Sequence, residues 1–288
     1  MLNVINAGIS RLFQNKVFRT VFIITVLYGT LAPYLYWDGN RLYRELDPTV
    51  PLFGFMLTLP FATAILISLF LGQEHSDGTL RRKLVIGKTK TEVYLGLMLS
   101  ATVGVLLCCL GYLAADVAVS VLLMGLPKTA LEAVLLFGLL SIVNILANTA
   151  LFSALSLLIK SRAVSAVVCL MIAFITLILG IDAVGTLTQP ELYEVDRNDA
   201  EWYAEAYDVE IRGQADPDTM LVDNPWYPNE DQVKSARRTI YLLPAAQSFV
   251  ISQQLPVADP FVCGACSVII AVLSTAVGVI IFARKDIN

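Results

Sequence analysis

Six stretches of this chain carry no polar period at all. They cover residues 17–36, 51–71, 93–115, 133–159, 163–181 and 261–283, and each is apolar on every side when wound at 3.6 residues per turn. Each is close to the roughly 20 residues that an α-helix needs to cross hydrocarbon. The third can continue through Leu126, which would require tilt or a break. Strands of a membrane barrel alternate apolar and polar residues, and these runs do not. In lipid the backbone must satisfy its own polar groups, so long apolar runs fold as helices. The pattern predicts an all-α integral membrane protein with six transmembrane helices.

The remaining segments have patterns of their own. Over residues 1–16, Leu2, Ile5, Ile9, Leu12 and Phe13 recur at helical spacing between Asn3, Asn6, Ser10, Arg11 and Gln14, which predicts an N-terminal interfacial helix. Residues 17–181 hold the first five spans, with a polar loop at 73–92. Residues 182–260 form the long connection to the last span, and 261–288 hold that span and the tail. The connection is rich in Trp, Tyr, Asp and Pro, consistent with a small ordered subdomain. Its final part, 241–260, contains short apolar pieces broken by Pro244, Pro256 and Pro260. They are too short to cross and read as re-entrant helices.

Composition agrees with the pattern. The 288 residues are 57% hydrophobic and 15% charged, with a mean hydropathy of +0.70. Soluble domains carry about 25% charged residues. The net charge of −4 hides a strong asymmetry. Arg11, Lys16, Arg19, Arg81, Arg82, Lys83, Lys88, Lys90, Lys160, Arg162, Arg284 and Lys285 fall on one side of a six-span topology. Only Arg41, Arg44 and Lys128 fall in the short loops on the other. Lys and Arg are retained on the cytoplasmic side, so both termini are expected there. The 182–260 segment, with 15 acids against five basic residues, is expected outside. No basic surface for nucleic acid and no glycine-rich phosphate loop is present, so the chain has no ATP site of its own.

The loop 73–92 reads QEHSDGTLRRKLVIGKTKTE and leads into Tyr94. It resembles the first cytoplasmic loop of bacterial ATP-binding-cassette (ABC) type-2 permeases at Glu74, His75, Ser76, Gly78, Thr79, Arg81, Arg82, Gly87, Lys90 and Tyr94. Asn224-Pro225-Trp226-Tyr227, Arg237-Arg238 and Leu243-Pro244-Ala245-Ala246-Gln247 resemble that family's extracellular segment before the last span. Phe282-Ala283-Arg284-Lys285-Asp286-Ile287 resembles its C-terminal end. The acidic stretch 191–223 has no counterpart. The resemblance implies a permease subunit of a bacterial plasma-membrane exporter that is not itself an enzyme. A second permease, identical or related, would pair with it. Two cytoplasmic ATP-binding subunits would hold ATP and Mg and drive alternating access. An amphipathic or hydrophobic compound is the implied cargo, with a peptide favoured by the acidic outer segment. Other classes compatible with the topology are a membrane sensor or assembly protein and an ion-coupled secondary transporter.

Within the loop, Ser76 or Asp77 is placed to cap a helix over 79–86, and Gly87 to end it. Leu80 and Leu84, with Val85, form its apolar stripe. Arg81, Arg82 and Lys83 flank the stripe, and Glu74 supports the base of the loop. This predicts a coupling helix that inserts an apolar face into a partner groove. A merely topogenic basic cluster on anionic lipid is the plainer alternative.

Inside the spans, Asp116 is the one acid deep in an apolar run. As an acid within a span it is a candidate for the translocation path or an interhelical polar contact, while counting from Val93 puts it near the outer interface, where solvation is cheap. Asn144 and Asn148 share one helix face and either line a polar path or bond between helices. Cys263 and Cys266 match C-x-x-C but begin an apolar helix, where they read as small packing residues. His75 is the sole histidine, so a histidine-based metal cluster is ruled out.

Overall fold

The computed structural model describes residues 1–42, 46–126 and 130–285. Arg44, Lys128, Asp286 and Ile287, used above for topology and resemblance, lie outside the described residues. Eleven α-helices and three strands are present among those described. Six helices are long and apolar enough to cross a bilayer. They are α2 (Lys16–Asn40), α3 (Phe55–Ser76, preceded by a 3-10 turn at Pro51–Phe53), α5 (Lys90–Met124), α6 (Leu131–Leu158), α7 (Arg162–Leu187) and α11 (Pro260–Arg284). The chain is therefore a multi-pass membrane protein. The long third run does not break, and α5 is one helix of 35 residues. Its length is about 52 Å, from a rise of about 1.5 Å per residue.

Local chemistry sets several helix ends. Thr89 and Glu92 form a reciprocal capping box at the start of α5. Asn15 accepts from Val17 N at 2.8 Å and starts α2. Asp259 accepts from Phe261 N and Val262 N and starts α11.

The N-terminal helix α1 (Leu2–Gln14) is present, but its buried stripe differs from the expected one. Val4, Gly8 and Leu12 are buried against α5, where Val4 sits on Gly96, Gly8 on Ser100 and Leu12 on Gly104. Leu2 and Phe13, read from sequence as part of the apolar face, are exposed. Small residues on both helices let the backbones approach closely, and α1 follows α5 in the same direction.

The basic segments meet at one end of the bundle. Met1 pairs with Glu92 there, Arg11 with Glu74, and Gly72 lies against Arg162. At the opposite end, the hydroxyl of Tyr112 donates to Pro51 O, and Gln254 donates to Thr49 O.

The connection between the last two spans adds β-structure that an all-α reading did not include. Strand β1 (Leu192–Asp196) and strand β2 (Ile211–Asp216) flank the central β3 (Thr219–Asp223), both antiparallel to it. Val222 of β3 is fully buried and faces Tyr193 and Ile211. Helix α8 (Ala200–Tyr207) crosses between β1 and β2. Tyr203, Tyr207, Trp226 and Tyr193 form a chain of ring contacts over this unit. Helices α9 (Glu230–Leu242) and α10 (Pro244–Ser252) then return the chain to α11. Helix α10 is far too short to cross a bilayer, at nine residues. Its length is only about 14 Å. It is almost wholly buried, and Ala246 lies directly on Gly180 of α7.

Candidate functional site

The loop between the second and third spans is built around one carboxylate. Glu74, in the last turn of α3, is buried. Its Oε1 accepts from Arg11 Nη1 at 2.7 Å. Its Oε2 accepts from Lys83 Nζ at 2.7 Å and from the hydroxyl of Thr79 at 2.6 Å. Three elements are thereby tied together: α1, α3 and the short helix α4 (Thr79–Val85). Charge-assisted bonds of this length are the strong class of hydrogen bond. His75 donates from Nε2 to Leu157 O at 3.0 Å, which links the same turn to the end of α6.

The helix in the loop starts differently from the expectation. Ser76 still belongs to α3, and neither Ser76 nor Asp77 caps α4. Gly78 does so without a side chain, at φ 66°, and Gly87 follows the helix at φ 88°. Both lie in the left-handed region that glycine enters without penalty.

The apolar stripe is also placed differently. Leu80 is 1% exposed and Leu84 packs against the core, so both face inward. Val85 and Ile86 are 81% and 79% exposed. Arg81 and Arg82 are exposed and make no side-chain hydrogen bond or ion pair among the described residues. The outward surface of the loop is thus a Val85–Ile86 apolar tip beside two free guanidinium groups. A seven-residue helix with an inward stripe could not signal in sequence that its exposed apolar pair lies at and past its last turn.

Lys90 completes this end. Its Nζ donates to Ala283 O and Lys285 O, and Lys285 Nζ donates to Leu157 O and Leu158 O. Two lysines therefore satisfy carbonyls at the C-terminal ends of α11 and α6, where cations are favoured. Burial lowers the Lys285 ammonium below its ordinary pKa, and nearby Lys160 adds to the shift.

A second constellation lies toward the other end and is neutral. Asn144 and Asn148 are buried on α6. Asn144 Nδ2 donates to Pro244 O at 2.9 Å, and its Oδ1 accepts from Ser248 Oγ at 2.7 Å. Asn148 donates to Asn144 Oδ1 at 2.8 Å. Gln247 accepts from Asn144 and from Ser267 of α11, and donates to Tyr241 O. The two asparagines thus join α6 to α10, and through Gln247 to α11. Gln247, Ser248 and Ser267 were not foreseen as members, although Gln247 is the only amide in the apolar stretch PAAQSFVIS.

Asp116 is joined to neither group. It is buried on α5 with Ser120 Oγ 3.5 Å away, and its Oδ1 has no hydrogen-bond partner among the described residues. No cluster of three or more metal-ligating side chains exists among the described residues. Cys263 and Cys266 are both free thiols. No family model, curated protein or solved structure matches the chain.

Proposed function

We propose that this chain is the permease subunit of an ATP-driven exporter in the plasma membrane. It pairs with a second permease and takes its energy from two cytoplasmic ATP-binding subunits. An amphipathic or hydrophobic compound, with a peptide as first choice, is moved by alternating access. The uneven distribution of Lys and Arg supports a cytoplasmic location for the end carrying α1 and α4. On that assignment the strand-containing unit lies outside, and α10 is a re-entrant helix next to the last span.

The observation that supports this reading most is the form of the 73–92 loop. It presents Val85 and Ile86 with Arg81 and Arg82 at its rim, while Glu74 fixes the loop to α1 and α3. Side chains with that exposure suit insertion into a partner groove, with the rim charges setting orientation. A push on α4 reaches α3 and α1 through Glu74, and α5 through the chain itself.

The test is a Val85→Asp/Ile86→Asp double variant. Both side chains are exposed, so folding and membrane insertion should be unchanged. Co-purification of the ATP-hydrolysing subunit, and ATP-dependent export in vesicles, should be lost. A double variant that assembles with that subunit and exports at the unaltered rate would overturn the proposal.

A further inference from the structure

Between α6, α9, α10 and α11 lies a cavity of about 500 Å³. Small-molecule sites commonly measure about 300–1,000 Å³. Its floor is apolar and buried, formed by Leu140, Ile251 and Cys263. Four polar side chains border it: Arg237, Tyr241, Gln247 and Asp259. Three of these have hydrogen bonds within the protein. Gln247 uses its oxygen for Asn144 and Ser267, and its nitrogen donates to Tyr241 O. Asp259 Oδ1 caps α11, accepting from Phe261 N at 2.8 Å and Val262 N at 3.2 Å. The hydroxyl of Tyr241 accepts from Asp259 N at 3.2 Å.

Arg237 differs from the other three. It stands exposed on α9 and makes no side-chain hydrogen bond or ion pair among the described residues. An apolar floor bordered by one uncommitted guanidinium has a definite chemical complement. We infer that this cavity binds an amphipathic anion: a hydrocarbon or aryl chain seated on Leu140, Ile251 and Cys263, ending in a carboxylate or phosphate held by Arg237. A guanidinium offers a planar fork of donors that matches either headgroup. Asp259 keeps a second oxygen, but its charge is partly offset by the two amides and the α11 N-terminus that it caps, so the unpaired Arg237 sets the sign of the rim and disfavours a cationic amphiphile. This assignment does not depend on the transport reading above.

The experiment uses the full chain in phosphatidylcholine nanodiscs, titrated with dansyl-labelled undecanoate and followed by dansyl fluorescence. Saturable binding is expected, displaced by laurate but not by methyl laurate or dodecylammonium. Arg237→Gln should weaken it about tenfold, as for loss of one charged hydrogen bond. Arg237→Lys should recover part of the loss. Ala258→Trp, which fills the cavity from its wall, should abolish binding. Replacing part of the phosphatidylcholine by phosphatidylglycerol separates the sources of the anion. Displacement of the probe by phosphatidylglycerol identifies a membrane lipid, and displacement by laurate alone identifies a free acid. Binding unchanged in Arg237→Gln, or equally tight for the ester and the acid, overturns the inference.

Discussion

The two buried polar junctions of this bundle solve one problem with different chemistry. At the end rich in Lys and Arg, one carboxylate gathers two cations and a hydroxyl, and Glu74 joins α1, α3 and α4. Toward the other end, Asn144, Asn148, Gln247, Ser248 and Ser267 join α6, α10 and α11 without any formal charge. The first junction has water nearby, since the Arg11 side chain is 44% exposed. The second is sealed, with Asn144 fully buried and Gln247 and Ser267 at 1%. Charge is tolerable where part of the ion pair remains hydrated, whereas a sealed site favours neutral amides and hydroxyls. The difference follows depth, and it predicts how each junction fails.

The largest loss is expected from Glu74→Ala. It leaves the Lys83 ammonium, whose side chain is only 15% exposed, without its counter-ion. Breaking a buried pair from one side costs about 3 kcal/mol or more, with the arm to Arg11 contributing less because it is hydrated. Thermal unfolding in detergent should show the drop, and limited proteolysis should cut the 77–89 loop faster. Combining Glu74→Ala with Lys83→Met should recover part of the loss, since no charge is then stranded. If the double variant is no better than the single one, the junction is not held by charge.

A smaller loss is expected at the neutral junction. Asn144→Leu removes bonds to Pro244, Gln247, Ser248 and Asn148. Hydrogen bonds between membrane helices average only about 0.6 kcal/mol each, because the membrane-unfolded chain finds other partners, so the four together come to about 2 kcal/mol. The same thermal measurement should place this variant clearly above Glu74→Ala. The reverse order would break the comparison.

The smallest effect belongs to an ion pair left in water. In the strand-containing unit, Arg212 Nε donates to Asp223 at 2.7 Å. This hydrogen bond holds the Asp223 carboxyl below its ordinary pKa. A carboxyl depressed by folding adds stability above its unfolded value and loses it as pH falls through the folded one. Acidification below about pH 4 should therefore lower the amide protection factors, corrected for the intrinsic exchange rate, at Leu221 and Val222. Asp223→Asn should show no such step. A step of equal size in the variant would assign the acid response to another carboxyl.

Much of the frame is legible without a structure, because lipid demands long runs with no polar period. The six spans fall within a few residues of the runs read from the sequence, and α5 and α7 simply extend further. The strands are not legible. In β2 only Ile211 and Ala215 are hydrophobic among six residues, and acids surround it, so no alternation stands out. Its pairing depends on β3, whose buried Val222 is a single apolar anchor. The face of α1 is equally hidden, since Gly8 carries no hydrophobic signal yet marks where α5 comes closest. At the 73–92 loop, the sequence indicates a basic helix between two glycines. It cannot tell which leucines turn inward, because Leu80 and Leu84 find their contacts on neighbouring helices only after the chain has folded back.

The neutral junction also fixes an order of events during synthesis. Asn144 lies 100 residues ahead of its partner Pro244, and Ser267 emerges later still. At about 5–20 residues per second, roughly 5–20 s separate the appearance of Asn144 at the ribosome from that of Pro244. Over that interval the Asn144 amide nitrogen lacks its partner on α10, whereas Asn148 is already bonded within α6. The release of α6 into lipid is therefore best delayed until α10 arrives, with the insertion machinery or trapped water holding the Asn144 amide meanwhile. A nascent chain halted before α10 would keep the Asn144 amide open, a feature by which quality control can recognise an unfinished protein.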